Sequence, residues 1–144
     1  MISGGAPSND GVPRPLIYLW AGPTTLVGLI GAALTALSHG RCEAREGILA
    51  VRGGFAKWFL SSRLIRAKAI ALGHVILALD LREMEIHWEH ERQHVRQAEL
   101  WGPAFIPAYL LASVWAFLKG HDYYRDNWFE KDADRNSRRR PSGP

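Results

Sequence analysis

With 144 residues the chain is at most one domain. Its single cysteine, Cys42, excludes an intrachain disulfide and a cysteine-rich metal site, so any metal must be held by His and carboxylate. The formal charge is +4, carried by 14 Arg and only 4 Lys; no basic patch is interleaved with aromatic residues, so nucleic acid is not an expected partner.

Residues 1–15 are rich in Gly, Pro, Ser and Asn without periodicity and read as a flexible N-terminal arm. Residues 16–37 then run for 22 positions without a charge. As a helix this stretch spans about 33 Å, enough to cross the hydrocarbon core of a bilayer. Tyr18 and Trp20 near its start suit a membrane interface. Gly22, Pro23, Gly28 and Gly31 weaken a helix in water but are tolerated in lipid. Gly28 and Ala32 make a small-x-x-x-small pair of the kind that packs helices. The stretch is therefore read as one N-terminal transmembrane helix. Its rivals are a buried core helix and a signal peptide, the latter disfavoured by the lack of a small-x-small cleavage site. Arg41, Arg45 and Arg52 after the span outnumber Arg14 before it, which puts the C-terminal bulk in the cytoplasm, beside an acidic membrane surface.

Residues 39–46 read as a polar linker. Residues 47–52 form a short strand ended by Gly53-Gly54. Residues 55–60 are apolar with Lys57 and Trp58 among them, either a short interfacial helix or a core segment. Residues 61–68 are basic and loop-like. Residues 69–79 read as one largely buried strand, although periodicity alone leaves a helix open. Asp80 then stands at an N-cap position, with Glu83 where a capping box places its acid.

The helix that begins there carries His87-Trp88-Glu89-His90-Glu91-Arg92-Gln93-His94. Residues four apart on a helix lie on one face, so His90 and His94 can aim one imidazole nitrogen each at a single ion. Glu91 sits about 100° round from His90, beside that ion, where its carboxylate can take a proton from a metal-bound water. From the His and Glu content, His90-Glu91-x-x-His94 arises by chance about once in seventy such chains. The helical context adds weight. Met84, Trp88, Val95, Ala98 and Trp101 form an apolar stripe, and Glu91 and His94 fall inside it. Arg92, Arg96, Glu89 and Glu99 lie on or towards the other face. A carboxylate and an imidazole on a buried face cost several kcal/mol unless something pairs with them, and a metal ion is one such partner. The competing reading is a His-rich surface helix, or core histidines satisfied by backbone carbonyls.

Gly102-Pro103 ends this helix. Residues 104–118 are a second apolar run, read as a core helix packing on the motif helix or as a shallow membrane-embedded one. A polar, aromatic loop from His121 to Asp126 follows and leads into Asn127-Trp128-Phe129-Glu130-Lys131-Asp132-Ala133-Asp134. Residues 135–144, with four arginines, read as a solvated, disordered basic tail.

Between Arg82 and Asp134 the sequence resembles the zincin metallopeptidases, and most closely the branch whose third metal ligand is a Glu on a later helix, in a Glu-x-x-x-Asp block with Asn just ahead. The layout is also similar to small bacterial membrane proteins that carry both blocks. The resemblance implies one zinc ion held by His90, His94 and Glu130, with Asp134 as an acceptor behind a ligand imidazole. It implies Glu91 as general base. It also implies an antiparallel edge strand beside the metal helix, a place that residues 69–79 are set to fill. His74, within that run, is expected to be a satisfied core or edge residue.

The resulting expectation is an α+β chain: a transmembrane helix over residues 16–37, then a small, mainly helical zincin-like domain over residues 38–134 with a short antiparallel sheet. Its expected function is that of a membrane-anchored zinc peptidase, acting on an unspecified peptide or protein substrate. His121, Tyr123 and Tyr124 are candidate donors to the oxyanion or substrate. The small size leaves room for a partner protein or a second copy to complete the cleft. Two alternatives stay open. One is a non-catalytic zinc module in which His87 closes the shell as a fourth ligand. The other is a metal-free membrane interaction protein.

Overall fold

The computed structural model describes Gly11 and residues 13–139. In chain order it contains helices α1 (Arg14–Trp20) and α2 (Gly22–Leu37), strands β1 (Arg41–Arg45) and β2 (Ile48–Arg52), helix α3 (Gly54–Ser61), and strands β3 (Ala69–Leu72) and β4 (Val75–Ala78). Helix α4 (Leu81–Trp101), a 3-10 turn (Gly102–Ala104), and helices α5 (Phe105–Leu118) and α6 (Trp128–Arg139) complete it. The class is α+β, as the sequence suggested. The four strands form one sheet in the order β1-β2-β4-β3.

That sheet is mixed, not purely antiparallel: β2 and β4 run parallel, with antiparallel hairpins on either side. Two turn sequences create those hairpins. Glu46 and Gly47 both have positive φ, the geometry of a two-residue turn matched to strand twist, so part of the expected linker becomes β1. Gly73 has φ of 60° at the first position of the next turn, and the expected single strand over residues 69–79 folds back on itself as β3 and β4.

Both faces of the sheet are covered. Ile48, Ala50, Ile76 and Ala78 pack against Met84, Trp88 and Val95 of α4. Val51, Val75 and Leu77 pack on the opposite face against Ala32 of α2 and Ala56 and Leu60 of α3. The small residues of α2 make that approach possible: a Cβ on Gly28 would stand 2.6 Å from the Leu72 carbonyl oxygen and 2.7 Å from Val75 Cβ. Gly28 and Ala32 therefore seat a helix on a sheet, not on another helix.

This placement corrects the single N-terminal span. The run breaks at Ala21 into α1 and α2, which meet at 77°. Pro23 is the physical reason, since its ring obstructs the carbonyl four residues back and it has no N–H to donate. Helix α2 alone reaches only about 24 Å. Among the described residues, one helix is by length and composition apolar enough to cross a membrane, Leu81–Leu118 counted through the 3-10 turn, and it is not N-terminal; α1 and α2 pass the same test only together, as a bent pair. Its apolar part is residues 101–118; the half before it carries the charged motif and lies on the sheet.

Asp80 caps α4 as expected, its carboxylate accepting from the Glu83 N–H at 2.9 Å. Gly102, with φ of 55°, turns the chain from α4 into α5, and the indole of Trp20 lies against it while donating to the Leu100 carbonyl at 3.3 Å. A third core, built on Ala98, Phe105 and Phe129, joins α4, α5 and α6. Helix α6 runs to Arg139, so residues 135–139 are helical where a disordered tail was expected. Residues 140–144 lie outside the described residues. Of the expected arm over residues 1–15, Arg14 and Pro15 open α1, and residues 1–10 and 12 lie outside the described residues.

Candidate functional site

Helix α4 places His90 and His94 one turn apart, and α6 brings Glu130 to them from 36 residues further along the chain. His94 and Glu130 are buried and His90 is partly so. His90 Nε2 lies 3.0 Å from Glu130 Oε2, His94 Nε2 lies 3.3 Å from Glu130 Oε1, and the two Nε2 atoms are 3.2 Å apart. Donors bonded at about 2.0–2.1 Å to a tetrahedral ion stand roughly 3.3 Å from one another. The three groups could hold a metal ion.

The surroundings fix which nitrogen carries the proton. Gln97 Nε2 donates to the Phe129 carbonyl at 3.0 Å and to Asp132 Oδ2 at 2.9 Å. Its oxygen is thereby turned to His94 Nδ1, 2.8 Å away, which must carry a hydrogen to bond it. His90 Nδ1 lies 3.0 Å from Asp134 Oδ1 and is the donor there for the same reason. In the neutral imidazoles both Nε2 lone pairs therefore face each other and a carboxylate. Such a triangle of electron-pair donors is repulsive until a cation sits in it, a proton or a metal. Burial alone would lower the His94 pKa. The hydrogen bond to Glu130 and the charges of Glu91 and Glu130 outweigh it and raise the value to about 9. His90 is also raised, burial being outweighed chiefly by its bond to Glu130. Burial pushes the other way on Glu130, but its bonds to His90 and His94 hold it well below the usual carboxylate range.

Three more polar groups steady this arrangement. The Tyr109 hydroxyl, from α5, donates to Glu130 Oε1. Asn127, fully buried, caps α6 by accepting from the Phe129 N–H at 2.8 Å. Its amide nitrogen donates to the Tyr109 carbonyl at 3.0 Å and to Ser113 Oγ at 2.7 Å, tying α6 to α5. Asn127→Ala removes the cap and leaves buried partners unsatisfied. It should lower stability by about 2–4 kcal/mol, read as an earlier thermal transition in detergent.

Glu91 is buried, 6% exposed, and lines the same cavity. Among the described residues its carboxylate makes no hydrogen bond or ion pair. Burial raises its pKa, although the neighbouring imidazoles pull the other way. A carboxylate that opens to the cavity without a hydrogen bond among the described residues, beside three converging donors, is placed to exchange a proton.

Asp134, which the resemblance implies as an acceptor behind a ligand imidazole, lies against His90 Nδ1. Tyr123 and Tyr124 line the cavity; His121 is exposed and does not. Burial, then the charge of Glu130, raises the Tyr124 pKa, so its hydroxyl stays a donor. His87 also lines the cavity but pairs with Glu83 on its own helix, 3.3 Å away, and is not part of the cluster. His74 is a satisfied buried residue, bonded to Glu99 at 2.8 Å and in tilted ring contact with Tyr18. Sequence reasoning missed Gln97, Tyr109 and Asp132. Gln97 had a signal, a polar residue inside the apolar stripe one turn after His94. Tyr109 had none, because an aromatic in an apolar run is ordinary.

Comparison with family models, with curated proteins and with solved structures finds no match to this chain.

Proposed function

We propose that this chain is a membrane-associated, zinc-dependent peptidase. The observation that carries the reading is the convergence of two Nε2 lone pairs and a buried carboxylate at the spacing of a tetrahedral ion, with Glu91 unpartnered beside them. Two imidazoles and one carboxylate suit zinc and leave one coordination position free. Zinc held there supplies Lewis acidity, bringing the pKa of a water towards neutrality and polarising a carbonyl.

The chain's own residues do the rest. Glu91 accepts the proton from the attacking water as its oxygen bonds to the scissile carbonyl carbon. The C–N bond then breaks, and Glu91 passes the proton to the leaving amine. Tyr124 at the cavity wall is a donor for the oxyanion. Gln97, Asp134 and Tyr109 hold the three ligands in orientation. Strand β3, at the sheet's edge, lines the cavity, and its outer edge, unpaired among the described residues, is offered to an extended peptide. The closed-shell alternative needs a fourth protein ligand, and His87 is engaged with Glu83 instead.

The membrane association rests on exposed apolar surface. Leu26, Val27 and Ile30 of α2, and Leu111, Trp115 and Leu118 of α5, are all more than half exposed. Large exposed apolar patches mark membrane or partner contacts in soluble proteins. The full chain should sediment with membranes and stay there through alkaline carbonate extraction. Recovery in the soluble fraction would remove this part of the reading.

The peptidase itself is tested by metal removal. Cleavage of a fluorogenic peptide library by the detergent-solubilised chain should stop on chelation with phenanthroline and return when zinc is restored. Zinc-loaded protein that cleaves no member of the library would contradict it.

A further inference from the structure

The cavity around the cluster, about 870 Å³, has two unlike walls. One is residues 65–68 and strand β3, whose outer edge is unpaired among the described residues because β3 ends the sheet. The other is the first half of α5. There Tyr109 turns to Glu130, while Ile106 and Leu110, four apart on one face, present apolar surface to the cavity.

That apolar wall does not stop at the rim. Leu110 is 57% exposed, and Val114 and Leu118 carry the same face onwards, both exposed. No charged residue interrupts α5 from Phe105 to Leu118. The first charge beyond it is Lys119, whose ammonium lies over the Trp115 ring at 4.6 Å, a pairing that suits the boundary between hydrocarbon and headgroups. The candidate metal cluster is thus joined by continuous apolar surface to the face assigned above to the bilayer.

We propose that the site is loaded from the bilayer: its substrate is an apolar polypeptide segment that reaches the cavity along α5, lies extended beside β3 and seats an apolar side chain against Ile106 and Leu110. The inference rests on the peptidase reading and adds the substrate class and its route. A polypeptide fits better than a lipid because the β3 edge presents backbone N–H and C=O groups at regular spacing. An extended main chain satisfies them, whereas an acyl chain that covers them leaves them without partners. The bilayer route fits better than entry from water because a polar segment gains nothing from the α5 wall.

The test uses zinc-loaded full chain in phosphatidylcholine vesicles. It employs two labelled peptides of equal length, one with a Leu-rich core that partitions into the vesicles and one with a Ser/Gln-rich core that stays in water. Binding is read on Glu91→Gln protein, whose turnover is expected to be at least about a hundredfold slower, by energy transfer from tryptophan to the label. The Leu-rich peptide should bind at least about tenfold more tightly, and unlabelled peptide, not added lipid, should displace it. Leu110→Gln should remove most of that preference while zinc content and vesicle association stay unchanged; Leu110→Ala, a milder change, should reduce it. Equal binding of both peptides, displacement by lipid alone, or a preference untouched by both Leu110 variants would overturn the proposal. Wild-type protein that cleaves both peptides equally would overturn the bilayer route and leave the peptidase standing. Selective binding of the Leu-rich peptide without cleavage by wild type would remove the peptidase and leave the apolar docking face.

Discussion

Glu91→Gln is expected to leave zinc bound and the fold intact while peptide turnover falls by about a hundred- to ten-thousandfold, the usual contribution of a positioned acid or base. Glu91 follows His90 directly but is not one of the converging donors, because the helix turns it aside. It is buried and makes no hydrogen bond among the described residues, so an amide of the same shape fits the same space. Burial already favours the neutral form of the carboxyl, which makes the isosteric amide a mild change to packing. What the amide cannot do is take a proton. The competing role, orienting a ligand imidazole, predicts a different result from the same variant: zinc affinity reduced about ten- to a hundredfold. Zinc retention and turnover measured together on this one protein separate the two.

The second large effect belongs to Glu130. Its two oxygens reach both histidines, one each, and it is the only anion in the triangle of donors. Glu130→Gln removes that charge and should weaken zinc binding by more than about a hundredfold, beyond what changes behind the ligands cost. Tyr109→Phe deletes only the hydroxyl that steadies Glu130 and should cost less, about ten- to a hundredfold. His121→Ala should have no effect, since His121 is exposed and lies off the cavity. Competition against a chromogenic chelator reads all three. Loss of zinc in His121→Ala but not in Glu130→Gln would move the site to a three-histidine arrangement.

The parts of this site that could be read from the sequence share one property: their signals are local. The i, i+4 spacing of His90 and His94, the Asp80 cap and the break at Gly102-Pro103 each depend on a few neighbouring residues and on helix geometry. Glu130 came by resemblance, not by physics, because nothing local says that α6 folds back onto α4. The strand over residues 69–79 went wrong for a different reason. It is continuously apolar because the sheet is covered on both faces, and that removed the alternation by which a strand is read. The only mark of the turn was Gly73. The N-terminal run misled in the same way. A helix that lays Gly28 and Gly31 on a sheet and leaves leucines outside has the composition of a membrane span, and only Pro23 hinted at the bend. Strand β1 was hidden by its polarity: it is an exposed edge, and four of its five residues face solvent.

The most direct test of the metal centre is the metal content of the purified full chain, measured by atomic emission beside His94→Ala. Wild type should carry about one zinc ion per chain after dialysis, and His94→Ala should carry none, because the loss of one of three protein donors leaves too few to retain the ion. Wild-type protein without stoichiometric metal, or a variant that keeps as much zinc as wild type, would contradict the assignment of His90, His94 and Glu130 as a metal site.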